Sequence, residues 1–206
     1  MTGDKVRIAV LVSGGGTNLQ ALLDAQRRGE IPHGEIVLVV SNKPGVYALE
    51  RARAAGVEAQ VVEKRRGEQA DFEARLTALL RERRIDMIVL AGFLAILSGD
   101  FTARWPRRIL NVHPSLIPSF CGAGFYGLRV HQAALDYGVK VTGATVHYVN
   151  EIPDGGEIIA QKAVDVLPGD TPETLQRRVM EQAEWILLPR AAELAARELA
   201  ERSTQP

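Results

Sequence analysis

Short runs of aliphatic and β-branched residues with little alternation recur along the first half of the chain, separated by stretches with helical spacing. Residues 5–12 (KVRIAVLV), 36–41 (IVLVVS), 57–62 and 87–91 (MIVLA) read as strands, and 109–112 as a fifth. A strand that is apolar on both faces suits the interior of a parallel sheet, where helices cover both sides. Between these runs, 18–28 carries Leu19, Leu22 and Leu23 at helical spacing, 47–55 ends at Gly56, and 68–83 aligns Phe72, Leu76, Leu79 and Leu80 on one face. Glycine is the usual residue just past a helix end, and the second pattern marks an amphipathic helix. Regular alternation of strand and helix predicts right-handed βαβ units and a doubly wound, mostly parallel α/β sheet of Rossmann-like type.

The second half changes pattern. Residues 118–128 (PSFCGAGFYGL) are rich in glycine and aromatics and are expected to hold no single rigid shape. Residues 131–137 predict a short helix, and 141–149 with 158–166 an antiparallel hairpin around the turn 151–156 (EIPDGG). Thr171 is a good helix cap and Pro172 suits the first helical position. That helix is expected to reach Leu188, with Pro189 dividing it from an Ala-rich helix over 191–201 and a frayed tail at 203–206. No repeat, linker or composition break divides the chain, so one domain is expected.

Composition narrows the function classes. With 206 residues, 46% hydrophobic and 24% charged, the chain has the balance of an ordinary globular protein. Lys+Arg and Asp+Glu both number 25, a formal net charge of zero, which argues against a general nucleic-acid binder but leaves room for a local anion site. Cys121 is the single cysteine, so neither an internal disulfide nor a thiolate zinc cluster is expected. No apolar run approaches the roughly 18 residues of a membrane span, and the N-terminal stretch lacks an Ala-x-Ala cleavage pattern. A reduced, cytoplasmic enzyme with no membrane association is the expectation.

Three segments carry candidate chemistry. The first is the loop 13–17 (SGGGT) between the first strand and helix. Gly15 and Gly16 tolerate positive φ and let backbone N–H groups approach a ligand, the following helix directs its positive end at the loop, and Thr17 and Asn18 offer side-chain donors. Gly14 and Gly16 fit G-x-G, but Leu19 stands where a dinucleotide fingerprint has its third glycine, and no Gly-Lys-Ser/Thr follows. The loop therefore suits a single phosphate; a tight turn that binds nothing is the alternative. In the second segment, Asn111 and His113 lie two apart at the end of the fifth strand and project to one side. An amide beside an imidazole can polarise a carbonyl and stabilise an oxyanion, and ligands of open α/β sheets sit at such strand ends. An Asn-turn with a surface histidine is the alternative there. Ser115 lacks the G-x-S-x-G elbow of a nucleophile. The third is Asp154 in the turn Pro153-Asp154-Gly155-Gly156, which is either an ordinary Asp-Gly turn or a carboxylate that reaches His113 and favours its charged form. His147 reads as a core histidine, His131 as a helix cap and His33 as a turn residue; a zinc site from His113, His147 and Asp154 lacks the usual ligand spacings, so no metal is expected.

Taken together, the pieces IAVLVSGGGTNLQALL, SNKPGVYALERARAAG, IDMIVLAGFLAILS, LNVHPSLIPSF, GATVHYVNEIPDGGEIIAQ and GDTPETL resemble the folate-dependent phosphoribosylglycinamide (GAR) formyltransferases of purine biosynthesis. The likeness runs from about Val6 to Arg190. It implies a transfer of the formyl group of 10-formyltetrahydrofolate, as co-substrate, to the amine of GAR. It further implies that Asn111, His113 and Asp154 are catalytic, and that Gly15, Gly16, Thr17 and Asn18 hold the 5′-phosphate. Glu181 and Glu184 would line the GAR end of the site. Leu94, Ala95, Ile96 and Leu97, with Asn111, Asn150, Glu151, Ile152, Pro153 and Asp154, would contact the folate, and 120–128 would be a mobile loop beside it. On this reading 1–112 is a phosphate-binding half, 113–190 a catalytic and folate-binding half, and 191–206 a terminal helix and tail. The chain departs from the family pattern at Ala95 and Gln69, where arginines are usual, at Cys121 for Pro and Trp185 for His, and in a helix before Pro189 that is one residue longer. The expected partners are the two small-molecule substrates, with no nucleic acid, acting on a monomer or homodimer. Formyltetrahydrofolate deformylases and methionyl-tRNA formyltransferases share the catalytic half, but normally add further domains for which this chain is too short. A nucleotide-binding module without catalysis is the rival from another class.

Overall fold

A computed structural model of the chain describes residues 5–203. The apolar runs form β1 (Val6–Val12), β2 (Gly34–Ser41), β3 (Glu58–Val61), β4 (Met87–Leu90), β5 (Ile109–His113), β6 (Val141–Tyr148) and β7 (Ile158–Asp165), joined in one sheet of order β3-β2-β1-β4-β5-β6-β7. Pairings from β3 across to β5 are parallel; β6 and β7 add antiparallel strands at one edge. The expected doubly wound sheet with a C-terminal hairpin is therefore present. Helices α1 (Thr17–Arg27), α2 (Tyr47–Ala54), α3 (Gln69–Glu82), α4 (Gly99–Thr102), α5 (Leu128–Tyr137), α6 (Pro172–Val179) and α7 (Trp185–Ser203) cover its faces.

The lack of alternation in β1 follows from its central place. Val10 enters a core with Leu22, Val39, Val89, Leu188 and Ala192, while Ala9 and Leu11 enter a second core with Leu38, Phe72, Leu76 and Ile88 on the other face. Burying one such aliphatic side chain contributes roughly 1.5–3 kcal/mol, so both faces fix the register. Strand order reverses between β1, which leads to β2, and its other neighbour β4. That switch point opens a crevice at the carboxyl ends of the strands, where the loop after β1, the loop after β4 and the end of β5 meet.

Several elements differ from the sequence expectation. Strand β5 takes in His113, and α5 starts at Leu128, three residues earlier than predicted. Thr171 caps α6 through a reciprocal capping box with Thr174, but the helix does not run on unchanged to Leu188. Met180–Glu184 form a π-helical turn, and α7 then continues through Pro189 without a break. Proline inside a helix removes the bond to the carbonyl four residues back. Here that loss is offset by an uninterrupted apolar face of Leu187, Leu188, Ala191, Ala192, Ala195 and Ala196. The expected tail at 203–206 lies outside the described residues beyond Ser203, which closes α7. Among the described residues no helix is long and apolar enough to cross a membrane.

Candidate active site

The loop after β1 is held open by its neighbours. Gly16 caps α1 with φ 75°, a left-handed conformation that favours glycine. A Cβ there would also lie 2.7 Å from the Ala48 Cβ, so the approach of α2 requires glycine as well. Ala48 N–H donates to the Gly14 carbonyl at 3.1 Å, and Arg51 Nε–H donates to that of Gly15 at 2.8 Å. Ser13 Oγ donates to Asn42 Oδ1 at 2.6 Å and accepts from Leu94 N–H at 2.8 Å, which ties the loops after β1, β2 and β4 together. The first-turn N–H groups of α1 have no acceptor within the helix.

The side chains of that turn point elsewhere. Thr17 directs its hydroxyl at Met180 Sδ, 3.8 Å away, and Asn18 Nδ2 donates to Glu184 Oε2 at 2.7 Å. Without a ligand the Asn18 amide serves Glu184, and the loop offers backbone N–H groups. Glu184 sits on the π-helical turn, and burial pushes its carboxyl up to about 7 although the Asn18 hydrogen bond pulls the other way. Glu181, on the same turn, is exposed.

Catalytic candidates gather at β5. Leu110 and Val112 face one core while Asn111 and His113 project to the opposite side, and the antiparallel register sets His147 of β6 directly across from Asn111. The turn after β6 folds back so that Asp154 reaches all three. His113 Nδ1 lies 3.5 Å from Asp154 Oδ2, His147 Nε2 lies 3.6 Å from Oδ1, and Asn111 Nδ2 donates to Oδ1 at 3.4 Å. Gly122 N–H, from the Gly-rich loop, donates to Oδ2 at 2.8 Å. Burial raises the Asp154 carboxyl, yet the His147 hydrogen bond, the His113 charge and the Gly122 N–H outweigh it and hold the group below the ordinary carboxylate range. Asp154 has φ 56°, a left-handed conformation that aspartate tolerates better than most residues.

Hydrogen bonds also orient the rings. Carbonyls only accept, so the 2.9 Å contact of His113 Nε2 with the Phe120 carbonyl places a proton on Nε2 and turns Nδ1 toward Asp154. His147 Nδ1 likewise donates to the Tyr148 carbonyl at 2.8 Å, leaving Nε2 for Asn111 at 3.2 Å and for Asp154. His147, read as a core histidine, is buried but belongs to this cluster. Only the β5–β6 pairing reveals it; spacing in the sequence carries no such signal. The segment 94–97, expected from the sequence to contact folate, follows β4. Leu94 and Ile96 are exposed and Leu97 is buried; Ile96 accepts from Lys64 Nζ at 3.2 Å and Gln69 Nε2 at 3.1 Å. In the second loop, Asn150 Oδ1 accepts from Ile152 N–H at 2.9 Å, with Glu151, Ile152 and Pro153 exposed. Among the described residues no three His, Cys, Asp or Glu side chains are set to hold a metal ion.

Residues 6–191 match the model of the formyl transferase family. The chain belongs to that family. Among relatives of this formyl transferase, the chain is 41% identical over 177 residues to phosphoribosylglycinamide formyltransferase of Haemophilus influenzae, covering 85% of this chain and 81% of that protein. It is 47% identical over 194 residues to the trifunctional purine biosynthetic protein adenosine-3 of Gallus gallus, covering 94% of this chain but 19% of that protein. The chain therefore spans about a fifth of the length of this trifunctional relative. In three dimensions it superposes on glycinamide ribonucleotide transformylase 1 of Symbiobacterium toebii with a TM-score of 0.88 at 42% identity, covering 96% and 90% of the two chains. The family match spans the glycine loop, the Asn111–His113–Asp154 cluster and the π-helical turn.

Proposed function

We propose that this formyl transferase moves the formyl group of 10-formyltetrahydrofolate to the amine of GAR, as a cytoplasmic enzyme of purine biosynthesis. The observation that carries the reading is the convergence of Asn111 Nδ2 and His113 Nδ1 on one carboxylate, Asp154. Two donors aimed at one point form a cradle for a developing oxyanion. The GAR amine attacks the formyl carbon, and the carbonyl electron pair moves onto oxygen, where the Asn111 amide and a protonated His113 stabilise it. Asp154, 3.5 Å from His113 Nδ1, supplies the counter-charge to the imidazolium and organises, through water, the passage of one proton from the attacking nitrogen to N10 of the folate. The electron pair on oxygen then returns, the bond from carbon to N10 breaks, and formyl-GAR and tetrahydrofolate leave. No covalent enzyme intermediate and no metal enters this scheme.

The glycine loop and Glu184 position GAR; Leu94, Ala95, Ile96, Leu97 and the 150–154 loop form the folate side. Positioning of this kind converts a two-substrate encounter into an oriented one. On this reading 1–112 binds phosphate, 113–190 carries catalysis and folate binding, and 191–206 is a helix and tail. The substrates are small molecules, the enzyme works as a monomer or homodimer, and neither nucleic acid nor membrane takes part. The test follows the absorbance change as 10-formyl-5,8-dideazafolate loses its formyl group. Loss that requires GAR is the expected result; equal loss without GAR identifies a hydrolase, and no loss with either refutes the reading.

A further inference from the structure

Between β4 and α4, residues 91–98 take neither helix nor strand, so the shape of this segment depends on partners outside it. At Leu94 the N–H donates to Ser13 Oγ at 2.8 Å. The Ile96 carbonyl accepts from Lys64 Nζ and from Gln69 Nε2. Beyond it, Glu73 of α3 takes both donors of one residue: Oε1 accepts from Ser98 N–H at 2.7 Å, and Oε2 accepts from Ser98 Oγ at 2.6 Å. Oε1 also accepts from Gln69 Nε2, the same amide that holds Ile96. One carboxylate therefore fixes the segment twice, directly at Ser98 and through Gln69 at Ile96. Glu73 stands in no ion pair among the described residues; Arg75 of the same helix pairs with Asp71. Its charge is spent on these neutral donors, and such charge-assisted bonds are roughly twice as strong as neutral ones. Leu97, between the two fixed points, is buried with Phe72 and Phe101, whereas Leu94 and Ile96 stay exposed. A cavity of about 350 Å³ opens against the clasp, lined in part by Gln69, Glu73, Ser98 and Arg104. Donors freed by loss of the carboxylate would meet water there instead of being orphaned in a core.

We propose that Glu73 is a positioning residue for the formyl donor: through Ser98 and Gln69 it holds the 94–97 segment in the shape that receives folate. The proposal rests on the reading of 94–97 as part of the folate side. Without the clasp, the segment must be ordered at the expense of donor binding. Glu73→Ala removes both acceptor oxygens; Glu73→Gln keeps the length and one acceptor. Losing hydrogen bonds to a charged group predicts a rise of about tenfold or more in KM for the formyl donor in Glu73→Ala, and of about threefold in Glu73→Gln. KM for GAR and kcat should change little in either. The glutamine variant carries the same test should the alanine variant fail to fold. An unchanged KM for the donor overturns the proposal. So does an equal rise in both KM values, or a fall in kcat as large as the rise in KM, because a general loosening of the crevice produces those. Calorimetric titration with 10-formyl-5,8-dideazafolate alone decides independently of turnover and of the acceptor. Wild-type binding weakened about tenfold or more in Glu73→Ala supports the assignment even if GAR proves not to be the acceptor. Equal binding by the two proteins overturns the role of Glu73 and leaves the folate reading standing; no binding by the wild type overturns both.

Discussion

Glu184→Gln is expected to make the protein more stable at alkaline pH and no more stable at acid pH. The carboxyl is buried, its hydrogen-bond neighbour among the described residues is Asn18, and burial lifts it from 4.5 in ordinary surroundings to about 7. Between those two values the folded chain keeps a proton that the unfolded chain has released. Stability therefore falls as pH rises from about 4.5, and the loss is complete above about 7. At about 1.4 kcal/mol per pH unit the full loss is bounded by about 3.5 kcal/mol. Glutamine imitates the protonated carboxyl: its carbonyl still accepts the Asn18 N–H and it carries no charge to desolvate. Urea denaturation of both proteins at intervals from pH 5 to pH 9 reads the effect. The curves should coincide near pH 5 and separate by up to about 3.5 kcal/mol by pH 8, or roughly 7–14 °C in Tm for a chain of this size. A separation that does not change with pH, or a variant less stable than the wild type at pH 8, would refute the assignment of a neutral buried acid. The same variant should bind GAR less tightly if the carboxylate meets the substrate, a trade of function against stability.

Asp154→Asn should lower kcat by about 10²–10⁴, because the imidazolium loses its counter-charge and the proton its organiser; turnover near that of the wild type removes Asp154 from the mechanism. Since Asp154 is held below the ordinary carboxylate range, it also contributes stability that is present above about pH 4 and lost as pH falls through its folded value. The acid limb of the wild-type stability curve should therefore be steeper than that of Asp154→Asn. Gly16→Ala meets both a left-handed φ and a Cβ 2.7 Å from Ala48, and should cost about 1–3 kcal/mol by denaturant titration. An unchanged midpoint would mean that α2 moves aside freely. Thr171→Ala removes one side of the capping box on α6 and should cost about 1 kcal/mol, with no effect on kcat.

Strands were legible in the sequence because a doubly covered sheet demands apolar residues at every position, as in Ala9–Val12. The glycine loop was legible for a similar reason, since few other residues accept the backbone that Gly16 adopts. Asn111 and His113 shared a face by strand periodicity alone. Asp154 and His147 required the tertiary arrangement: one reaches the site only because the turn after β6 folds back, the other because β6 pairs with β5 in a register no local spacing announces. Pro189 misled for the opposite reason. Its local preference is a helix break, but the apolar face of α7 packs continuously across it. Asn18 was placed by its neighbours in sequence, whereas its amide answers to a carboxylate 166 positions away.

The π-helical turn at Met180–Glu184 has a mechanical consequence for everything downstream. An extra residue in an ordinary α-helix rotates all later positions by about 100°, which would swing the Leu and Ala stripe of α7 away from the sheet. A wider turn absorbs the surplus within one loop of backbone, so the terminal helix keeps its phase and stays seated. Excising a single residue from that turn should therefore leave α7 docked while dragging Glu184 out of reach of Asn18.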